Sequence, residues 1–171
     1  FATEEVAITV GGKQAFYLAC RALLGTGDEM VIPTPHWPTF GEAARLAGGK
    51  PVFLRTKDKE GFAVTARLIA KGLTAKTKVV LVNSPSNPTG AVISMEEMRK
   101  ILALAKRHKF TVVYDDTYAQ LTYGEGGPLR LEGLRELAPD RLVVVGTASK
   151  TYCMTGWRIG WLLGPKALVD A

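Results

Sequence analysis

The chain has 171 residues, of which 47% are hydrophobic and 22% are charged, which is the composition of one ordinary globular domain. The formal net charge is +6, but the lysines and arginines are scattered among acids without a basic run beside aromatic residues, so nucleic-acid binding is not expected. No stretch approaches the roughly 18 consecutive apolar residues of a membrane span, and no signal-peptide pattern opens the chain, which indicates a soluble protein.

Short apolar runs alternate with helical segments along the chain. Runs that are apolar almost throughout are typical of strands covered on both faces, and they occupy residues 6–10, 29–32, 51–54, 78–82, 110–114, 142–145 and 159–163. Helical patterns cover residues 14–24, 40–46, 65–71 and 94–109. This alternation predicts an α/β fold with right-handed crossovers and a mainly parallel, seven-stranded sheet that helices cover on both faces.

The clearest helix is predicted to begin at Ser94, because Glu97 follows at the spacing of a capping box. Its apolar positions recur at helical spacing, namely Met98, Ile101, Leu102 and Ala105. Turn clusters lie at residues 25–28 and 124–128, and the second opens a strand-poor connection that continues to Arg141. The chain opens directly into a strand-like run and stops inside a helix predicted near Pro165, so we expect a fragment of a longer protein.

Two unusual motifs follow the first two strands, at the sheet edge where ligands of α/β proteins gather. Gly11-Gly12-Lys13-Gln14 opens the first helix, where backbone N–H groups could meet a phosphate, although a glycine turn that only joins strand and helix would look the same. In Pro35-His36-Trp37-Pro38, the prolines either hold the indole against a planar ligand or place it in the core. His36 and Phe40 either shape the surroundings of a substrate side chain or simply pack.

Further polar residues follow the later strands. Residues 83–90 form a rigid polar loop with two X-Pro bonds, and Asp115 ends the fifth strand, where a carboxylate must be solvated or paired with a cation. A Mg²⁺ site at Asp115 and Asp116 remains open, whereas the chain's 2 histidines give little support to a transition metal. Lys150 follows the sixth strand and Arg158 leads into the seventh, which brings two cations to the same edge.

The cysteines predict neither a disulfide framework nor a zinc site. Cys20 and Cys153 lie far apart and form no CxxC pair, so a reducing cytoplasm fits best. Cys153 has no neighbouring histidine or second cysteine in the sequence, and we expect it to fill the core.

Over essentially its whole length the chain resembles the fold-type I aminotransferases, and in particular the aspartate and aromatic aminotransferase group. The motifs that carry the resemblance appear in the family's order: GGKQA (residues 11–15), PHWP (35–38), NPTG (87–90), DDTY (115–118), SK (149–150) and TGWRIG (155–160). The resemblance implies a three-layer αβα large domain that binds pyridoxal 5′-phosphate (PLP). It also implies that an N-terminal segment and a C-terminal small domain lie outside this sequence.

The resemblance implies a role for each matching residue. Lys150 would form the Schiff base with PLP and later move the proton between the substrate Cα and the cofactor C4′ atom, and we expect burial or a nearby cation to activate it. Asp115 would pair with the pyridine nitrogen, with Tyr118 and Asn87 on the phenolic oxygen and Trp37 stacked on the ring. The phosphate would be held by Arg158, the Thr147 hydroxyl, the Gly12 and Lys13 backbone and, less firmly, Ser149.

The implied activity is amino-group transfer from an L-amino acid to a 2-oxo acid by a ping-pong mechanism in a homodimer. The sequence differs from the residues commonest in the family at two places. Thr147 stands where the family often has Ser, and Asp116-Thr117 stands where it often has Glu or Phe followed by an apolar residue.

PLP-dependent β-lyases remain an alternative, since the cofactor contacts alone do not separate them from transaminases. A non-catalytic binding domain of the same fold is a second alternative, but the intact set of Lys150, Asp115 and Arg158 argues against it. A nucleotide-binding domain is disfavoured because GxGxxG and GxxxxGK[ST] are absent.

Overall fold

The computed structural model describes residues 1–123, 129 and 131–171, and for Glu132 the backbone only. The turn cluster predicted at residues 124–128 lies outside the described residues. The strands are β1 (Val6–Val10), β2 (Glu29–Thr34), β3 (Lys50–Arg55), β4 (Thr77–Asn83), β5 (Thr111–Asp115), β6 (Leu142–Thr147) and β7 (Ile159–Leu163). The helices are α1 (Gly11–Leu23), α2 (Thr39–Leu46), α3 (Ala66–Gly72), α4 (Met95–His108), α5 (Leu131–Leu137), α6 (Ala148–Thr151) and α7 (Lys166–Val169).

The seven strands form one sheet in the order β1-β7-β6-β5-β4-β2-β3. Strands β2 to β6 run parallel, whereas β7 runs antiparallel to both of its neighbours, β6 and β1. The prediction of a mainly parallel, seven-stranded sheet is therefore confirmed. Because β7 lies between β6 and β1, strand β1 forms one edge of the sheet.

Helices cover both faces of the sheet, so the predicted three-layer αβα arrangement is confirmed. One apolar cluster joins the sheet to α1 and α2 through Phe16 and Phe40, which are almost fully buried. The cluster on the opposite face joins it to α3, α4 and α5 through Ile69, Ile101 and Leu134. The central strands contact both clusters, which explains why their sequences are apolar almost throughout.

Helix α4 follows the predicted pattern with one difference at its first turn. The Ser94 hydroxyl accepts a hydrogen bond from the Glu97 N–H at 3.2 Å, as an N-cap residue should, and the predicted apolar positions are buried. The Glu97 carboxylate does not complete a capping box, because it accepts a hydrogen bond at 2.8 Å from the Ala66 N–H at the start of α3. It thus links two helices on the same face of the sheet.

Two segments differ from the sequence-based prediction. Helix α1 begins at Gly11, three residues earlier than predicted. Gly11 turns the chain from β1 into the helix with a positive φ of 77°, and the Gln14 side chain accepts a hydrogen bond from the Val10 N–H at 2.6 Å. The connection before Arg141 contains the short helix α5, which the sequence did not predict. The helix predicted near Pro165 is confirmed as α7. Within the described residues, no helix is long and apolar enough to cross a bilayer.

Gly160 in β7 lets the start of α1 lie directly against the sheet. A Cβ built on Gly160 would lie 2.5 Å from the Gly12 nitrogen and 2.8 Å from the Gly11 Cα, and both are backbone atoms that cannot rotate away. Gly160→Ala is therefore expected to lower the free energy of unfolding by about 3 kcal/mol, as overpacking does. Urea denaturation of the full-length protein measures this loss.

Gly156→Ala is the matched control, because a Cβ built there meets nothing within 4 Å. The control should stay within about 1 kcal/mol of wild type, since Gly156 lies in a short 3-10 turn where alanine meets no steric obstacle. Equal stability of the two variants would contradict the close approach described for Gly160.

Candidate active site

A cleft of about 410 Å³ opens at the carboxyl ends of β4, β5 and β6, next to the N-terminus of α1. This is the edge at which the sequence analysis placed the ligand. All of the predicted site residues line this one cleft: Gly12, Lys13, Trp37, Asn87, Asp115, Tyr118, Thr147, Ser149, Lys150 and Arg158. Residues that are far apart in the sequence therefore surround one volume.

Asp115 is a buried carboxylate in the wall of the cleft. It ends β5, its side chain is 6% exposed, and its Oδ1 accepts a hydrogen bond from the Thr117 N–H at 3.0 Å. Burial raises the pKa of Asp115, while the hydrogen bonds from Thr117 act in the opposite direction. Among the described residues no salt bridge includes Asp115, so the carboxylate would be stabilised by a cationic group within the cleft.

Asp116 follows with a second carboxylate that does not line this cleft. Burial, and then the negative charge of Asp115, raise the pKa of Asp116 to about 7. Its N–H donates to the Val145 carbonyl at 3.1 Å, so the residue is fixed against β6. In the described part of the chain, no three His, Cys, Asp or Glu side chains converge as a metal site. The Mg²⁺ alternative would therefore rest on two adjacent carboxylates.

The opposite end of the cleft carries positive charge and backbone donors. Gly12 and Lys13 lie in the first turn of α1, where N–H groups have no partner within the helix. The Arg158 guanidinium lies against Gly11, since a Cβ built on that glycine would be 3.1 Å from Arg158 Cζ. Arg158 Nη1 donates to the Thr155 carbonyl at 2.7 Å, which fixes the guanidinium at this end. This arrangement suits a dianion such as a phosphate.

Two buried hydroxyl groups lie between this positive end and Lys150. The Thr147 hydroxyl caps the short helix α6 by accepting a hydrogen bond from the Ser149 N–H at 3.2 Å. Its Oγ1 also lies 3.0 Å from Ser149 Oγ and 2.9 Å from the carbonyl oxygen of Ile159. Helix α6 thus begins at the end of β6 and carries Lys150 into the cleft.

Two expectations about residues near α6 have different outcomes. Of the two features expected to activate Lys150, burial is not found, because the residue is exposed where it lines the cleft, whereas a nearby cation stays a prediction. The expectation for Cys153 is wrong. Cys153 does not fill the core, since it is exposed with a φ of 54° in the turn that follows α6. Its side chain cannot reach the sheet because the chain leaves the core directly after Ser149.

Trp37 forms the aromatic wall of the cleft. Its indole packs edge-on against Phe40, with ring centroids 5.4 Å apart, and Phe40 in turn packs on Phe16 in the core. The Lys13 ammonium lies 5.2 Å from the centroid of the indole. His36 does not line this cleft, because its ring packs 5.0 Å from that of Phe53, and burial and then the Arg45 charge lower its pKa.

Phe40, which the sequence analysis left open between the substrate's surroundings and packing, lines the cleft and also belongs to the core. The cleft has three further lining residues that the sequence analysis did not assign to it: Asn83, Thr117 and Thr155. Asn83 ends β4 as Asp115 ends β5, and its Oδ1 accepts a hydrogen bond from the Asn87 N–H at 2.7 Å. It therefore fixes the loop that carries Asn87. The strand-end position of Asn83 was a usable signal, because each of the neighbouring parallel strands ends at this edge.

Comparisons with known proteins agree with this geometry. The family model described as aminotransferase class I and II matches residues 1–171. An aspartate aminotransferase of Streptomyces avermitilis is 41% identical over 168 residues, which cover 98% of this chain and 41% of that protein. An aspartate/prephenate aminotransferase of Thermus thermophilus is 41% identical over 170 residues, which cover 98% of this chain and 43% of that protein. The chain thus spans less than half the length of these relatives.

Solved structures show the same fold. The aspartate aminotransferase of Thermus thermophilus with maleate superposes with a TM-score of 0.93 at 38% identity, covering 99% of this chain and 44% of that one. An aromatic aminotransferase of Pyrococcus horikoshii gives a TM-score of 0.91 at 33% identity, covering 97% of this chain and 44% of that one. The resemblance stated from the motifs is therefore confirmed at the level of family and fold.

Proposed function

Because the chain belongs to the class I and II aminotransferase family, we propose that the full-length protein is a PLP-dependent aminotransferase. It would transfer the amino group of an L-amino acid, aspartate or an aromatic one, to a 2-oxo acid in a ping-pong reaction. The observation that carries the proposal is the single cleft that joins the buried Asp115 carboxylate, the Lys150 amine and the Arg158 guanidinium.

The residues of the cleft fit PLP at both of its charged ends. Asp115 is buried and has a raised pKa, so a protonated pyridine nitrogen would supply the cation that its carboxylate lacks among the described residues. At the other end, Arg158 and the backbone N–H groups of Gly12 and Lys13 would hold the phosphate dianion. The Thr147 and Ser149 hydroxyls lie at the same end and complete the polar wall.

Lys150 would hold PLP covalently through its Nζ, and once the substrate amino group has displaced it, the freed amine would act as the base and acid of the reaction. When bound, PLP supplies an electron-withdrawing ring that stabilises negative charge at the substrate Cα. The Lys150 amine is exposed to the cleft at the end of the rigid α6 turn, so it can take the proton from the substrate Cα and return one. The hydrogen bonds that fix Thr147 and Ser149 hold this turn in place.

The remaining residues would orient the cofactor ring. Tyr118 and Asn87 line the cleft beyond β5 and β4, where they could donate hydrogen bonds to the phenolic oxygen. Trp37 would stack on the cofactor ring, since its contacts with Phe40 and the core fix the indole in the wall of the cleft. Asp115, Tyr118 and Lys150 are the proposed catalytic residues.

We also propose that residues 1–171 form most of the PLP-binding large domain of a cytoplasmic homodimer. Ile8 and Val10 on the edge strand β1 are 73% and 60% exposed, and Val10 lies beside the exposed Ile159 of β7. Exposed apolar side chains grouped in this way are usually buried against another protein surface, which here would belong to the rest of the protein or to a second copy of it. The cytoplasmic assignment rests on Cys20 and Cys153, which are both free thiols.

Labelling of the full-length protein tests the proposed function. The protein is incubated with PLP, reduced with borohydride and digested, and mass spectrometry is expected to place the phosphopyridoxyl group on the Lys150 peptide. Turnover of the amino acid should then require a 2-oxo acid. Ammonia release without a 2-oxo acid would indicate a β-lyase instead, and the absence of any label would indicate a binding-only domain.

A further inference from the structure

The Asn83 side chain connects two residues of the proposed cofactor site. Asn83 is paired with Asp115 in the sheet, so the two residues end β4 and β5 side by side. Asn83 Oδ1 accepts a hydrogen bond from the Asn87 N–H at 2.7 Å, and Asn83 Nδ2 donates to the Asp115 carbonyl at 3.4 Å. One amide group therefore links the backbones of Asp115 and Asn87.

The partners of the Asn83 amide determine its orientation. A backbone N–H only donates hydrogen bonds, so the Asn83 atom that faces Asn87 must be the oxygen. A carbonyl only accepts them, so the atom that faces Asp115 must be the nitrogen. Both polar atoms of the amide thus have partners within the protein before any cofactor binds.

The loop that carries Asn87 has few backbone donors of its own. Residues 84–88 include two prolines, which have no N–H group. The Ser86 N–H donates to the Ala91 carbonyl at 2.9 Å, a partner further along the same loop. Among the described residues, the hydrogen bond to Asn83 is therefore the contact that ties the Asn87 N–H to the end of the sheet.

The two linked residues face different atoms of the cofactor in the proposed function. Asp115 would pair with the pyridine nitrogen, and Asn87 would donate to the phenolic oxygen. Both atoms belong to one rigid ring, so the two contacts form together only if Asp115 and Asn87 are held at a matching separation. A single planar amide that bonds to both backbones can fix that separation.

We infer that Asn83 is a positioning residue, which holds Asn87 at a set distance from Asp115 so that both reach the cofactor ring. This inference rests on the proposed function, since it concerns PLP. Asn83 lines the cleft and also a small second cavity beside Pro35, so it belongs to the wall that separates the two. It acts through its neighbours and not by binding the cofactor.

A titration of the visible absorption band of bound PLP tests the inference in the full-length protein. A hydrogen bond from the Asn87 side chain stabilises negative charge on the phenolic oxygen, so it lowers the pH at which the band changes. Asn83→Ala is expected to raise that pH by about one unit, because this bond to a charged group is weakened. In an Asn87→Ala background the same substitution should raise it by less than about 0.3 unit, since the donor is already absent.

Thr89→Val is the matched control. The Thr89 hydroxyl accepts a hydrogen bond from the Ala91 N–H at 3.2 Å within the same loop, and Thr89 does not line the cleft. The control should keep the titration of the band within about 0.3 pH unit of wild type. An equal shift in Thr89→Val and Asn83→Ala would mean that any loosening of the loop has this effect, which would overturn the inference.

Hydrogen exchange gives a second readout that needs no cofactor. In the PLP-free protein, the Asn87 N–H should exchange about tenfold faster in Asn83→Ala than in wild type, because its acceptor is removed. If wild type forms no visible band with PLP, the proposed function fails and the inference fails with it. Faster exchange in Asn83→Ala would then show that the loop contact itself was assigned correctly.

Other results would overturn the inference while the proposed function stands. An equal shift for Asn83→Ala in both backgrounds would mean that Asn83 acts independently of Asn87, and no shift in either would remove its role. A crystal structure of the PLP-bound wild type does not depend on the folding of any variant. It should show Asn83 Oδ1 still bonded to the Asn87 N–H, and a direct hydrogen bond from Asn83 to PLP would contradict the positioning role.

Discussion

Lys150→Ala in the full-length protein is expected to lower kcat for transamination by about 10⁴-fold or more, because general acid–base catalysis and covalent attachment are lost together. The structure gives a reason why no other amine would substitute. Lys13 is the other lysine that lines the cleft, and its ammonium lies over the Trp37 ring, 5.2 Å from the centroid. Single-turnover absorbance changes with an amino acid measure the loss directly.

The control for this prediction is Lys166→Ala. Lys166 is exposed on α7, forms an ion pair with Asp170 and does not line the cleft, so its removal should leave kcat within about twofold of wild type. A fall of similar size in both variants would indicate a general loss of structure. Retention of more than a hundredth of wild-type kcat in Lys150→Ala would show that Lys150 is not the proton-transfer residue.

Asp115→Asn is expected to have opposite effects on activity and on stability. Activity should fall about 10³-fold, since a preorganised charge in the active site is removed. Burial raises the pKa of Asp115 in the folded state above the value of about 3.9 in the unfolded chain. The folded protein therefore binds this proton more tightly, and the resulting stability is present at low pH and is lost as the pH rises from about 4 through the folded-state pKa.

At pH 7 the PLP-free Asn variant should consequently be more stable than wild type. The Asn Oδ1 can still accept the hydrogen bond from Thr117, which Asp115 now accepts at 3.0 Å. The pKa of Asp116 should also move down from about 7, because the negative charge beside it is removed. Urea denaturation of both PLP-free proteins at pH 5 and pH 7 measures the difference in unfolding free energy, which should increase with pH.

Asp140→Asn provides the matched control, since Asp140 is exposed in the turn before β6 and should show no such increase. An Asp115→Asn variant that is less stable than wild type by the same amount at both pH values would mean that the carboxylate is already stabilised in the PLP-free protein. Such a result would remove the need for a cation at that position.

Most of the sheet and the outline of the cleft were predictable from the sequence. Hydrophobic runs such as that of β5 locate buried strands, and polar residues directly after them, such as Asp115, locate the ligand-binding edge. The family motifs then selected residues that are distant in the sequence, and the structure places all of them on one cleft. What each residue binds there remains a prediction.

Other features depend on contacts that a sequence pattern does not contain. The periodicity of β7 is the same whether it runs parallel or antiparallel to β6, so its direction became visible only in the sheet. The exposure of a side chain is equally absent from the pattern: Cys153 was expected in the core because no histidine or second cysteine lies beside it in the sequence, whereas the turn after α6 directs it outward. The link from Glu97 to Ala66 was missed because capping rules consider one helix at a time.

The pairing of β1 with β7 also constrains the order in which this region can assemble during synthesis. Within the described part of the chain, the first strand to leave the ribosome hydrogen-bonds only with the last one. The nascent strand must therefore wait, with its backbone N–H and C=O groups unpaired, until nearly all of the sheet has been translated. Such long-range closure is slow and prone to aggregation, so this segment is where a chaperone would be expected to bind first.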